Sequence, residues 1–149
     1  MIQGSAGLKG RALSRAEVEG IEAWFGQALP SRLSEILLAL PLVGLEFELD
    51  EEEDLSKQGA RFRWMTPEGM KSEAIEAYPG VVARRHGYFP VGDCMEGSGD
   101  PYFIRLSDLA LVRIPHAAVH SGPDWELDQE SIQDVTASIE EFIEKVAPA

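Results

Sequence analysis

Three carboxylates, Asp93, Glu96 and Asp100, lie close together in a glycine-rich stretch of the chain. Carboxylate oxygens are ligands that Ca²⁺ prefers, so the three side chains would form an oxygen-ligand site if they converged. Their spacing lacks the alternate-residue ligand pattern of an EF-hand loop. Tight turns also require Asp and Gly, and turn formation accounts for the same residues without an ion. We therefore expect no metal and no cofactor, and keep a small acidic metal-binding domain or enzyme using the 93–100 loop as an alternative.

Cys94 with His86 or His116 has the residue types of a catalytic nucleophile and its base. No strongly cationic residue lies near Cys94 in the sequence to stabilise a thiolate, and a free cysteine commonly serves as a small apolar residue. His116 and His120 have the spacing of a zinc pair on a helix, but Pro115 argues against a helix there. The chain also lacks a phosphate loop followed by Lys, a Gly-x-Ser-x-Gly motif and a His-Glu-x-x-His motif. The sequence favours a protein that is not an enzyme.

Five consecutive carboxylates form a second acidic stretch: Asp50, Glu51, Glu52, Glu53 and Asp54. Neighbouring like charges repel, so we expect this stretch to be a solvated loop. Exposed carboxylates suit contact with a basic partner. The residues expected to bind such a partner are Asp50, Glu51, Glu52, Glu53, Asp54, Asp93, Glu96, Asp100 and Tyr102.

The overall charge points to the same class of partner. Lys and Arg total 13 against 26 for Asp and Glu, which gives a net charge of −13. Nucleic acid and anionic lipid require a cationic surface and are therefore disfavoured, whereas a basic protein would be attracted over a long range. The alternative is that the acidity only keeps the protein soluble. No apolar run is long enough to span a membrane, so we expect no membrane association.

The residues from Tyr88 to Leu106 predict a β-hairpin, because an alternating apolar pattern flanks a loop on each side. Asp100-Pro101 should direct the chain into the second strand, since Pro fixes its own φ and favours an extended residue before it. Glycines permit positive φ angles at little cost. The residues expected to set the loop geometry are Gly92, Gly97, Gly99 and Pro101.

Helices are predicted in four places. Ser14 to Glu17 has the form of a capping box that begins a first helix, and Pro30 begins a second. Thr66 is expected to cap a third helix that ends near Ala77. The last helix has an apolar face that begins close to a Ser131–Asp134 capping box. That face comprises Ile132, Val135, Ile139, Phe142, Ile143 and Val146.

Strict alternation predicts two further strands, Leu45–Asp50 and Arg61–Met65. If they pair, Glu46 and Glu48 face the arginines of the second strand. Residues 109–114 form another apolar strand. Residues 81–86 are predicted as a short edge strand or a turn.

Four of these segments together resemble the SUKH superfamily, which groups yeast cell-wall-synthesis regulators with bacterial toxin-immunity proteins. Phe89–Asp93 and Ser98–Phe103 are similar to its central signature of an aromatic-Pro strand, a Gly-Asp pair and an aromatic strand. Leu29-Pro30 joins two short helices, as in the family. Ala137–Ile143 is similar to its C-terminal helix. The resemblance covers residues 14–146 in the family's order.

The expected architecture is one α+β domain over residues 14–149, preceded by a flexible tail over residues 1–13. It has a central, mainly antiparallel sheet, two N-terminal helices, one middle helix and a C-terminal helix. The resemblance implies a non-catalytic module of the immunity type that binds and neutralises a toxin domain. The alternative within this class is a regulatory scaffold that binds a host protein. The single cysteine and the absence of an apolar signal core predict a cytoplasmic location.

Overall fold

An antiparallel sheet organises the chain in the computed structural model, which describes residues 10–96, 99–120 and 126–146. The strands of the described residues are β1 (Glu46–Leu49), β2 (Ala60–Trp64), β3 (Tyr88–Cys94), β4 (Tyr102–Arg105), β5 (Ala110–Arg113), β6 (Val119–His120), β7 (Glu126–Leu127) and β8 (Gln133–Thr136). Six of them form one sheet in the order β1-β2-β3-β4-β5-β8, and β6 pairs with β7 separately. Every pairing in the large sheet is antiparallel.

The helices complete an α+β domain, as the sequence predicts. They are α1 (Arg15–Phe25), α2 (Ser31–Ala39), α3 (Pro67–Glu76), α4 (Gly80–Arg85) and α5 (Ile139–Val146). The predicted capping box is present, because the Glu17 amide donates to Ser14 Oγ and the Ser14 amide donates to the Glu17 carboxylate. Thr66 caps α3 by accepting from the Gly69 amide. No helix among the described residues is long and apolar enough to cross a membrane.

The predicted hairpin is confirmed, since β3 and β4 are adjacent antiparallel strands with Phe89 opposite Ile104. The expectation that Gly92 shapes the loop through a positive φ is wrong. Gly92 lies within β3, where a Cβ would come within 2.4 Å of the Phe62 ring. Close packing rather than a positive φ therefore requires glycine here. Gly99 does have a positive φ, 72°, and Gly97 lies outside the described residues.

The central strands are buried on both faces, which differs from the half-buried strands expected from alternation. Consecutive residues of a strand point to opposite faces, and here each face carries its own core. Phe89 and Ile104 belong to the larger core, with residues of α1, α2 and α5. Tyr88 and Phe103 belong to a second core, which residues of α4 cover.

The last helix is shorter than predicted, and its first part is a strand. Residues 133–136 form β8, which pairs with the edge of β5, so a helix beginning near Ser131 is wrong. The helix begins only after Ser138, whose Oγ accepts from the Glu141 amide. Val135 is buried in either arrangement, and for this reason the apolar pattern alone did not separate them.

Two shorter predictions also need correction. Residues 80–85 form helix α4 instead of an edge strand or turn, because Val82 and Ala83 bury one helical face in the second core. Of the tail expected over residues 1–13, residues 1–9 lie outside the described residues, and residues 10–13 pack against the domain. Arg11 forms a two-residue bridge with Val43, and Leu13 is buried.

Candidate partner-binding cleft

An acidic cleft of about 660 Å³ lies where the loop between β1 and β2 meets the end of β3. Five carboxylates line it: Glu48, Asp50, Glu51, Glu52 and Glu96. Arg61 is the only cation among the described residues that line it. The cleft thus carries a large excess of negative charge on an open surface, which attracts cationic groups.

Pairing of β1 with β2 gives the cleft its fixed wall. The register places Glu46 opposite Arg63 and Glu48 opposite Arg61, as the sequence predicts. Arg63 donates to the Glu46 carboxylate at 3.0 Å. An exposed cross-strand ion pair of this kind stabilises by a few tenths of a kcal/mol, about 0.2–1. The strand register itself determines that Glu48 and Arg61 lie side by side in the cleft wall.

The five-carboxylate stretch divides into outward and structural side chains. Asp50 and Glu53 satisfy each other's backbone: the Glu53 amide donates to Asp50 Oδ1 at 2.9 Å, and the Asp50 amide donates to Glu53 Oε1 at 3.3 Å. Glu51 and Glu52 are exposed and line the cleft. The prediction of a wholly solvated loop is therefore wrong for one residue, Asp54.

Asp54 is completely buried, so it is not available to a partner. Its Oδ1 accepts from the amide and the hydroxyl of Ser56, both at 2.7 Å. Its Oδ2 forms an ion pair with Arg113, at 3.4 Å. Burying a carboxylate requires such a set of charge and hydrogen-bond partners. Asp54 thus holds the loop to the sheet instead of presenting charge to solvent.

Two further contacts hold the loop to other elements. The Leu55 amide donates to the carbonyl of Val135 in β8 at 3.0 Å. Lys145 in α5 donates to the carbonyl of Glu53 at 2.8 Å. The loop is therefore attached to β5, β8 and α5, elements that follow it far along the chain.

Tyr102 is fully buried, and its assignment to partner binding is wrong. Its hydroxyl accepts from Arg113 at 2.9 Å and from the Arg61 amide at 3.3 Å. Burial raises the pKa of the Tyr102 hydroxyl above its usual value. Pro101 is also buried, and its carbonyl accepts from the Ile114 amide at 3.1 Å. Both residues support the β3–β4 hairpin from inside.

The structure separates the carboxylates that were predicted around the hairpin tip. Glu96 lines the cleft together with the 50–52 segment. Asp93 lies within β3 opposite Arg63, where partial desolvation raises its pKa. Asp100 binds His116, accepting from its amide at 3.1 Å and lying 2.8 Å from Nδ1. Neither Asp93 nor Asp100 belongs to the cleft lining.

Among the described residues, no three His, Cys, Asp or Glu side chains are placed to hold a metal ion together. Cys94 Sγ contacts the backbone of Glu96, with both the amide and the carbonyl at 3.3 Å.

Sequence reasoning missed the residues that fix the cleft, chiefly Arg113 and Ser56. One signal was present: Arg113 is a charged residue in an otherwise apolar strand that was expected to be buried. A buried arginine requires acceptors, and long-range contacts had to supply them. Which loop would supply them was not visible from spacing alone.

No protein-family model matches this chain, and no curated protein does either.

Proposed function

We propose that this protein is a non-catalytic binding module whose acidic cleft receives a basic segment of a partner protein. In line with the resemblance to the SUKH superfamily, we propose that the partner is a toxin domain and that binding neutralises it, in the cytoplasm. The cleft supports this proposal because its shape is concave and five carboxylates face it. Asp54 and Ser56 of the same loop do not line the cleft and instead hold the loop to Arg113.

A protein is favoured over other ligands on grounds of charge. The net charge of −13 opposes nucleic acid and anionic membranes. Lysine and arginine side chains match the carboxylates in charge, and arginine also matches them in geometry. An acidic face of this kind chiefly raises the association rate, because attraction acts before contact.

The test uses the product of the reading frame next to this one, since an immunity protein is expected beside its toxin. That product is expressed in a bacterial host with and without this chain, and growth is followed. We expect growth to be arrested by the product alone and restored by co-expression. Growth without arrest, or arrest that this chain does not relieve, contradicts the toxin assignment.

The contact face is tested on the purified pair with Glu51→Lys/Glu52→Lys. We expect the association rate constant to fall at least about tenfold at low salt and to lose most of its salt dependence. The control is Glu19→Lys/Glu130→Lys, which changes the net charge equally at exposed positions outside the cleft. Equal effects of the two double variants would show that net charge matters and the cleft does not.

Calorimetry with Ca²⁺ addresses the metal-binding alternative. Tight binding that Asp100→Asn removes would favour that alternative over a partner-binding module.

A further inference from the structure

Arg113 in β5 is a buried charged side chain near the cleft that forms hydrogen bonds with several elements of the fold. It is only 5% exposed, although it carries a permanent charge. Its Nε donates to Gln133 at 2.7 Å. Its Nη1 donates to the Tyr102 hydroxyl at 2.9 Å and the Gly59 carbonyl at 3.1 Å. Its Nη2 donates to Ser56 Oγ at 2.8 Å and faces Asp54 at 3.4 Å.

These contacts use the full donor capacity of the side chain. A guanidinium has five N–H donors in a fixed plane, and here there are five acceptors. Three of them belong to the loop between β1 and β2: Asp54, Ser56 and Gly59. The fourth acceptor, the Tyr102 hydroxyl, also accepts a hydrogen bond from the backbone amide of Arg61 in the cleft wall. The side chain therefore joins β5 to both sides of the cleft.

The loop needs such an attachment because its own charges oppose a compact conformation. Three of its five consecutive carboxylate residues are exposed and a fourth is half-buried, and Lys57 adopts a positive φ of 66°. Like charges at this spacing repel, and a non-glycine residue with positive φ is held at a cost in energy. Contacts with the rest of the fold must offset both effects.

We propose that Arg113 is a positioning residue for the acidic cleft, which holds Glu51 and Glu52 in a fixed arrangement by anchoring the loop through Asp54, Ser56 and Gly59. The role assigned to the cleft rests on the proposed function, but the anchoring does not. A lysine in place of Arg113 keeps the charge and loses the planar set of donors, so it cannot serve five acceptors.

The experiment is amide hydrogen exchange on the full chain, with wild type, Arg113→Lys and the milder Ser56→Ala. We expect the amides of Leu55, Ser56 and Lys57 to exchange at least about tenfold faster in Arg113→Lys, and less markedly faster in Ser56→Ala. Amides in β3 and β4 should stay within about twofold of wild type. Unchanged exchange in the loop for both variants, or a uniform increase across the sheet, would overturn the proposal.

The matched control is Arg105→Lys. Arg105 lies on β4, next to β5, and also binds two carboxylates, those of Asp108 and Asp134. Within the described part of the chain its hydrogen bonds go to Asp108 and Asp134 and not to the loop between β1 and β2, so exchange of the loop amides should not change. Faster exchange in the loop of this variant would show that any arginine loss in the sheet has the same effect.

Binding to the neighbouring gene product gives a second readout. Arg113→Lys keeps the charges of Glu51 and Glu52, so the salt dependence of association should remain while dissociation becomes at least about tenfold faster. If wild type does not bind that product, the proposed function fails and the exchange result still decides the role of Arg113.

Discussion

The rings of Phe62 and Tyr102 stack with their centroids 4.5 Å apart, and this stack lies against the backbone of Gly92. Three adjacent strands thus meet at one point, β2 through Phe62, β3 through Gly92 and β4 through Tyr102. A Cβ on Gly92 would lie 2.4 Å from Phe62 Cδ2 and 2.9 Å from Tyr102 Cβ. Glycine at this position allows the two rings to stack across β3.

Gly92→Ala should therefore destabilise the domain by about 1–3 kcal/mol through overpacking, as measured by urea unfolding. Gly20→Ala is the control, since no described atom beyond the neighbouring residues and the backbone of α1 lies within 4 Å of the added Cβ. That substitution should stabilise the domain by about 0.5–1 kcal/mol, because alanine is the better helix former. Equal unfolding midpoints for Gly92→Ala and wild type would contradict the packing seen here.

Phe142 joins α5 to the sheet through an aromatic cluster. Its ring centroid lies 5.2 Å from that of Phe47 and 5.6 Å from that of Phe62, and its side chain is fully buried. Phe142→Ala should cost about 3–5 kcal/mol of unfolding free energy. Ile143→Ala, at a less buried position of the same helix, should cost clearly less. A comparable loss of unfolding free energy for both variants would mean that the helix itself, and not the aromatic cluster, accounts for the loss.

The parts of the fold that local sequence determines were predictable. Ser14 and Thr66 were predicted to cap the first turns of helices. In the structure both hydroxyls do so, each accepting from a backbone amide of the helix that follows. The β1–β2 and β3–β4 pairings agree with the alternating apolar patterns of their strands. Residues 133–136 were assigned wrongly because their strand conformation depends on pairing with β5, a partner supplied by the fold.

The cleft was predictable only in part, for a related reason. Its charge was evident from the consecutive carboxylates and from Glu96, and the structure places Asp50, Glu51 and Glu52 beside Glu96. Burial of the Asp54 side chain depends on its contact with Arg113, which lies 59 residues further along the chain. Local patterns do not report contacts of that sequence separation, so Asp54 was assigned to solvent.

Glu17 makes the stability of α1 depend on pH. Hydrogen bonds from Arg11, and next from the Ser14 amide, lower the pKa of its carboxyl from 4.5 to about 2. Both Arg11 N–H contacts are 2.8 Å long. A carboxyl with a lower pKa in the folded state adds stability above its unfolded pKa. That contribution should be lost as pH falls from 4.5 towards 2.

Two substitutions separate the charge of Glu17 from its capping role. Glu17→Gln can still accept from the Ser14 amide but loses the charge, and Glu17→Ala loses both. Near pH 7, Glu17→Ala should cost about 0.5–2 kcal/mol and Glu17→Gln less, since the ion pair with Arg11 is exposed. Urea unfolding should show the difference between wild type and Glu17→Gln shrinking below pH 4.5. A difference that is constant over this range would exclude the ion pair as its cause.

Glu73 should affect stability in the opposite direction. It lies at the tight junction between α3 and α4, where its Oε2 accepts from the Gly80 amide at 2.9 Å. Burial raises the pKa of its carboxyl above 4.5, the nearby Asp93 raises it further, and the Gly80 hydrogen bond and His116 oppose the shift. The folded state therefore binds a proton at Glu73 more tightly than the unfolded state does. Stability should fall as pH rises above 4.5 and level off above the folded pKa.

Glu73→Gln removes the charge and keeps an acceptor for the Gly80 amide. It should therefore be more stable than wild type near pH 7, and this advantage should disappear as pH falls below 4.5. Glu73→Ala is the control, because it removes the acceptor as well and leaves a buried amide unpaired, at a cost of about 1–3 kcal/mol. Urea unfolding of wild type and both variants, from below pH 4.5 to pH 7, separates the effect of the charge from that of the hydrogen bond. A Glu73→Gln variant that is less stable than wild type at neutral pH would mean that the charge on Glu73 stabilises the α3–α4 junction more than its desolvation costs.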